Sequence, residues 1–412
     1  MSMINPLPPA FPPLAWSNLA AQSAEQLSLA AAPLIAVLAL NAGADEIGLL
    51  TAMQTLPFLL LSMPLGVLAD RVSRQRLMRW GEGLRLLSLV AMLVLLWSSS
   101  LTLARLAVLG FVGALGTVGF SVAAPGLVSA LVPRELLARA NGRLELARSA
   151  AFAAGPAVAG ALVSWAGAAS AFVLAALLSA SAIALLLRLN VPASARAAAR
   201  RHPLREVADG AAFVWRDALL RPILLTGVVF NLSWFVLQTV YVPYAIRTLG
   251  LDAAAVGATL AWYGVGMIVG ALLTPRLVAA LPLGQAIQIG PLCGMLAAAF
   301  LAATLIFPRA WLAGLSYFLL GSGPMVWTIT TATLRQNMTP DAMLGRVSAV
   351  FLTVNAGARP VGAALGGLAG ARWGEPACLL LALTGFMLQA LLILGARSVR
   401  ALRQPPAQVR AA

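Results

Sequence analysis

Apolar residues in this chain do not recur at helical or strand spacing; they fill long unbroken runs separated by short polar joints. Runs bounded by charge, Gly or Pro fall at roughly 14–40, 47–69, 80–98, 101–130, 139–165 and 168–188. A second set falls at roughly 218–246, 253–279, 284–307, 310–333, 341–371 and 375–397. Each is near the length that crosses a bilayer as a helix. The pattern predicts an all-α polytopic membrane protein of twelve transmembrane helices in two six-helix bundles, 1–188 and 218–397. Between them, 189–217 is the longest polar stretch, with an amphipathic helix expected from Pro203 to Trp215; 398–412 forms a tail.

Composition agrees. Of 412 residues 61% are hydrophobic and 10% charged, with mean hydropathy +0.91. Soluble domains are nearer half apolar and a quarter charged. The net charge of +15 would suggest nucleic acid in a soluble protein. Here the arginines sit in the joints between apolar runs, which points to membrane orientation instead. Every basic side chain apart from His202 is Arg, so a Walker A lysine and a lysine Schiff base are both absent from this sequence. Cys293 and Cys378 lie inside apolar runs without metal-ligand spacing, and no disulfide, metal site or cofactor is expected. The first fifteen residues are uncharged and proline-rich, unlike a cleavable signal peptide.

Alternate joints set orientation. Arg71, Arg74, Arg76, Arg79, Arg134, Arg139, the middle linker, Arg276, Arg335, Arg346 and Arg397 share one side, which places both termini and the linker in the cytoplasm. The halves also repeat: Pro133 and Arg139 precede the fifth run as Pro340 and Arg346 precede the eleventh, and Gly155 and Gly160 match Gly362 and Gly367 at the same offset. Such parallel repeats build transporters whose substrate site lies near the midplane.

The joint from Gly66 through Leu68, Asp70, Arg71 and Arg74 to Arg76 resembles the loop between the second and third helices of major facilitator transporters. Ser73 stands where that loop usually has its second glycine. Within the superfamily the chain resembles the bacterial branch of siderophore and drug exporters of the enterobactin-exporter type, on residues 54–59, Ala124-Pro125 and 131–142. Gly155, Pro156 and Gly160 resemble the fifth-helix motif of drug/proton antiporters, with Ala159 at a usual glycine. The resemblance implies alternating access, export, and a cytoplasmic latch formed by Gly66, Asp70, Arg71 and Arg74.

Glu25 is the sharpest candidate for chemistry. It lies midway along the first run, between Gln22 and Gln26, where a carboxylate costs about 2.5–3.5 kcal/mol on insertion scales and should face a cavity or a partner. It reads as a proton-coupling acid, against a hydrogen-bonded packing residue. Arg359, well inside the eleventh run, either pairs with Glu25, attracts an anionic substrate, or binds carbonyls freed near Pro360. Glu82 with Arg85, and Glu145 with Arg148, stand three apart and read as local ion pairs near the cytoplasmic interface, with a gating role beside the Asp70 joint as the alternative. Asn231, Trp234 and Gln238 share one helix face. With Gln22, Gln26, Gln54, Tyr263, Trp327 and Asn355 they are expected to line a central cavity for a small molecule.

The expectation is thus a monomeric, proton-coupled exporter of a small amphipathic molecule in a bacterial cytoplasmic membrane, and not an enzyme. An importer or facilitator of the same fold, and a transporter-derived receptor or membrane-embedded enzyme, are the alternatives.

Overall fold

The computed structural model describes residues 7–133, 136–189 and 203–403. His202, most of the linker before it, and the tail from 404 lie outside the described residues. A backbone in hydrocarbon must satisfy its own N–H and C=O groups, and the sequence does so with helices. These are α1 (Phe11–Leu40), α2 (Ala44–Arg71), α3 (Arg74–Trp97), α4 (Leu103–Leu131), α5 (Leu137–Ala166) and α6 (Ala168–Leu187). The linker helix α7 (Pro203–Arg216) follows, then α8 (Leu220–Arg247), α9 (Ala253–Ala280), α10 (Leu283–Ala303), α11 (Ala310–Met338), α12 (Asp341–Gly395) and the short α13 (Arg397–Arg400).

Among the described residues eleven helices are long and apolar enough to cross a membrane. The last of them, α12, runs 55 residues and is broken at Gly374, where φ is 79°. Only a residue without Cβ adopts that left-handed backbone cheaply, so a single glycine divides α12 into two arms and completes the twelve runs of the sequence. Polar residues between the runs start the helices. Ser73, Thr102 and Asp252 accept hydrogen bonds from the backbone N–H groups three residues on, at the heads of α3, α4 and α9. Asp217 accepts from the N–H groups of Leu219 and Leu220 ahead of α8.

The chain divides into two compact units, 1–42 with 53–198, and 43–52 with 199–412. The first turns of α2 thus group with the second unit, a division that the sequence boundary at 188 does not contain. In the first unit α1 packs on α5 and α6, and α3 on α4 and α6. The same pairings recur in the second: α8 and α10 both pack on α12, and α10 also packs on α11. Between lipid-facing helices there is little hydrophobic drive to associate, and close approach through small residues takes its place. A Cβ built on Gly81 of α3 would lie 2.5 Å from the Gly116 carbonyl oxygen of α4, so these backbones touch.

The linker helix α7 is held in the second unit. Asp209 pairs with Arg346 of α12 at 3.4 Å, and Gly210 lies against the backbone of the same arginine. Val214 joins the apolar core formed by Leu220, Ile223, Leu334, Val347 and Phe351.

Candidate functional site

The first unit buries a charge cluster where α1, α3, α4 and α6 meet. Arg85 of α3 is 4% exposed and Glu82, one turn before it, is 0% exposed. A buried ion is tolerated only when nearly every donor and acceptor finds a partner. Arg85 Nη1 donates to Glu82 Oε1 at 2.6 Å and to the Ala21 carbonyl of α1 at 2.9 Å, and Nη2 donates to Thr117 Oγ1 of α4 at 2.6 Å. The other oxygen of Glu82 accepts from Ser179 Oγ of α6 at 3.1 Å. Glu25 Oε2 lies 3.7 Å from Arg85 Nη2, with its side chain 17% exposed. Two carboxylates therefore share one guanidinium, and of the three side chains Glu25 has the most access to solvent.

The i,i+3 spacing of Glu82 and Arg85 makes the expected local ion pair, and the structure adds that the pair is buried against α1, α4 and α6. Glu145 and Arg148 also pair: both are exposed or nearly so, at 45% and 38%, and Arg148 binds both carboxylate oxygens while lying over Phe152. Thr117 and Ser179 escaped sequence reading altogether, since single hydroxyls in apolar runs carry no distinguishing pattern.

Around Glu25, Gln22 is half-buried, whereas Gln26 is buried against Gly155 of α5. Gln26 accordingly sits in the α1–α5 contact. Pro156 and the buried Gly160 follow Gly155 along α5. Gln54 of α2 packs at Gly110 of α4.

The joint after α2 is described in part. The surroundings of Gly66 and the side chains of Asp70 and Arg71 lie outside what the structure describes. Arg74 Nη1 donates to the Gly126 carbonyl of α4 at 2.8 Å, with its guanidinium lying where a Cβ on Gly126 would stand. Gln75 Nε2 donates to the carbonyls of Leu186 and Leu189, closing the end of α6.

In the second unit the predicted cavity residues separate into groups. Asn231 Nδ2 donates to Asn355 Oδ1 at 3.1 Å and to the Gly227 carbonyl at 2.9 Å, and its Oδ1 accepts from Arg359 Nε at 3.4 Å. Arg359 also lies 6.0 Å above the Phe235 ring. This joins three predicted residues in one polar chain between α8 and α12. Trp234, one turn along from Asn231, is buried at 8% and stacks on Tyr263 at 5.2 Å; Phe230 and Tyr317 flank it. Trp327 instead packs on the apolar core near α7 and at Gly290, and Gln238 is half-buried on α8. Among the described residues no group of three or more His, Cys, Asp or Glu is placed to hold a metal ion.

Comparison with known proteins decides the family. The model of the Major Facilitator Superfamily matches residues 14–363. The chain belongs to that superfamily. It is 30% identical over 356 residues to the enterobactin exporter EntS of an Escherichia coli O1:K1 strain, covering 84% of this chain and 82% of EntS. It is 32% identical over 279 residues to the uncharacterized MFS-type transporter y4rN of Sinorhizobium fredii, an alignment spanning 66% of each chain. Among solved structures it is similar to a POT family transporter in complex with 5-aminolevulinic acid, with TM-score 0.76, 13% identity, and 95% and 97% of the two chains covered. A bacterial homologue of the iron transporter ferroportin in its inward-facing state gives TM-score 0.72 at 17% identity, covering 94% and 98%. At such identities these structures establish the fold alone. This major facilitator chain is a multi-pass membrane transporter for a small molecule, and not an enzyme.

Proposed function

We propose that this major facilitator protein exports a small amphipathic molecule against proton entry, by alternating access of two bundles about a midplane site. Glu25 is the acid that takes up and releases the proton. The observation that carries the reading is the buried cluster in which Glu25 and Glu82 share Arg85. With both carboxylates ionised the cluster bears a net negative charge in a poorly hydrated place, and one added proton neutralises it. Glu25 has the most access to solvent of the three side chains and is the carboxylate that a proton from water reaches first.

The remaining roles belong to the same proposal. Asp70 and Arg71 form the cytoplasmic latch with Gly66 and Arg74, and Glu145 with Arg148 lies at the same end. In the second unit Asn231, Asn355 and Arg359, with Tyr263, face the substrate. The protein is a monomer in the bacterial inner membrane with both termini in the cytoplasm, as the arginine-rich joints favour. Similarity to EntS makes a siderophore such as enterobactin the first substrate to try, beside amphipathic drugs.

The test is counterflow in proteoliposomes with an imposed proton gradient, using enterobactin and a panel of amphipathic dyes. Glu25→Gln is expected to abolish gradient-driven movement while the protein still inserts. Wild-type rates from that variant, or accumulation in the import direction, would refute the assignment.

A further inference from the structure

The guanidinium of Arg85 does more than neutralise a charge. It holds α1 at two points one turn apart, the Ala21 carbonyl and the Glu25 carboxylate, while also binding α4 through Thr117 and, by way of Glu82 and Ser179, α6. Three other helices thus meet at one side chain of α3, and among these contacts the one to Glu25 involves the carboxylate with the most access to solvent.

We propose that Arg85 and Glu82 act as a pair of positioning residues that set the pH at which Glu25 takes up its proton, and that the loss of the Arg85–Glu25 ion pair releases α1 from α3 at that turn. The inference rests on Glu25 as the proton-binding acid. The step is a simple one: a proton from water adds to the Glu25 carboxylate, and Arg85 keeps Glu82, Thr117 and Ala21 as partners.

Among the described residues Arg85 lies against Glu25, Glu82 is bound to the same guanidinium, and α4 and α6 bring to that pair the hydroxyls of Thr117 and Ser179. The charges of α5, Arg139, Arg143, Glu145 and Arg148, lie in its first half, with Arg148 bound to Glu145. The two positioning residues have opposite signs and so act in opposite directions. A cation within about 4–6 Å favours an ionised carboxylate, by roughly 1–3 pH units, and a nearby anion opposes it.

Infrared difference spectroscopy of the full-length protein in lipid vesicles, titrated with proton alone, reads the carboxyl band without needing a substrate. A band that disappears in Glu25→Gln belongs to Glu25. In Arg85→Gln its half-protonation should move upward by about 1–3 pH units, in Glu82→Gln it should move downward, and Arg85→Lys should return it toward wild type. If Glu25→Gln leaves the wild-type band unchanged, Glu25 is not the proton-binding acid and the function proposed above fails with it. If the band is assigned to Glu25 but both other variants titrate as wild type, or both move the same way, the pairing is overturned and the function stands. Should Arg85→Gln fail to fold, the downward movement in Glu82→Gln alone decides the matter.

Discussion

Gly155 of α5 and Gln26 of α1 lie so close that a Cβ on the glycine would stand 2.5 Å from the Cβ of the glutamine. The Gly155-Pro156 stretch of α5 therefore packs against α1 at Gln26, the residue next to Glu25. A side chain at 155 has no room unless one helix moves, and the nearest atoms include α1 backbone. Overpacking of this kind costs about 1–3 kcal/mol. Gly155→Ala should lower the thermal midpoint of the detergent-solubilised protein, and Gly155→Val more so. An unchanged midpoint in both would show that α1 yields freely.

Arg74 offers a second test. Its hydrogen bond to the Gly126 carbonyl ties the head of α3 to the last turns of α4, and a hydrogen bond to a charged group contributes about 1.5–3 kcal/mol. Arg74→Ala should destabilise by that order in denaturant unfolding. Arg74→Lys should recover only part, since an ammonium lacks the planar fork that fits the Gly126 notch.

Trp234 separates a structural from a substrate-facing role. It is buried between Phe230, Tyr263 and Tyr317, and truncating a large aromatic in such a place costs about 3–5 kcal/mol. Trp234→Ala should show most of that loss in unfolding, with Trp234→Phe close to wild type. Full stability in Trp234→Ala together with lost transport would return Trp234 to the substrate.

The sequence made the helices legible because each membrane crossing demands its own length of apolar chain, and the linker helix legible because α7 is amphipathic; it was expected from Pro203 to Trp215 and runs Pro203–Arg216. The glycine turn at 374 lies in the gap between the last two apolar runs. What could not be read was rotation. A spanning helix is apolar nearly all round, so its pattern does not say which face meets which neighbour. Spacing found Glu82 for Arg85, three residues away, but not Ser179 or Thr117, which come from other helices. For the same reason the contacts of Gln26 with Gly155 and of Trp327 with the core around Val214 could not be read from spacing.

The closure of α6 by Gln75 has a practical corollary. Because that amide fills the carbonyls of Leu186 and Leu189, the sixth span is finished before the chain leaves it, and α7 has its own anchor in the Asp209–Arg346 pair. Neither half needs the covalent thread to define its end. Fragments 1–189 and 203–412, encoded separately and co-expressed, should reassemble into a working carrier that co-purifies through a tag on either piece. Failure of the two to associate would mean that the intervening stretch is more than a tether.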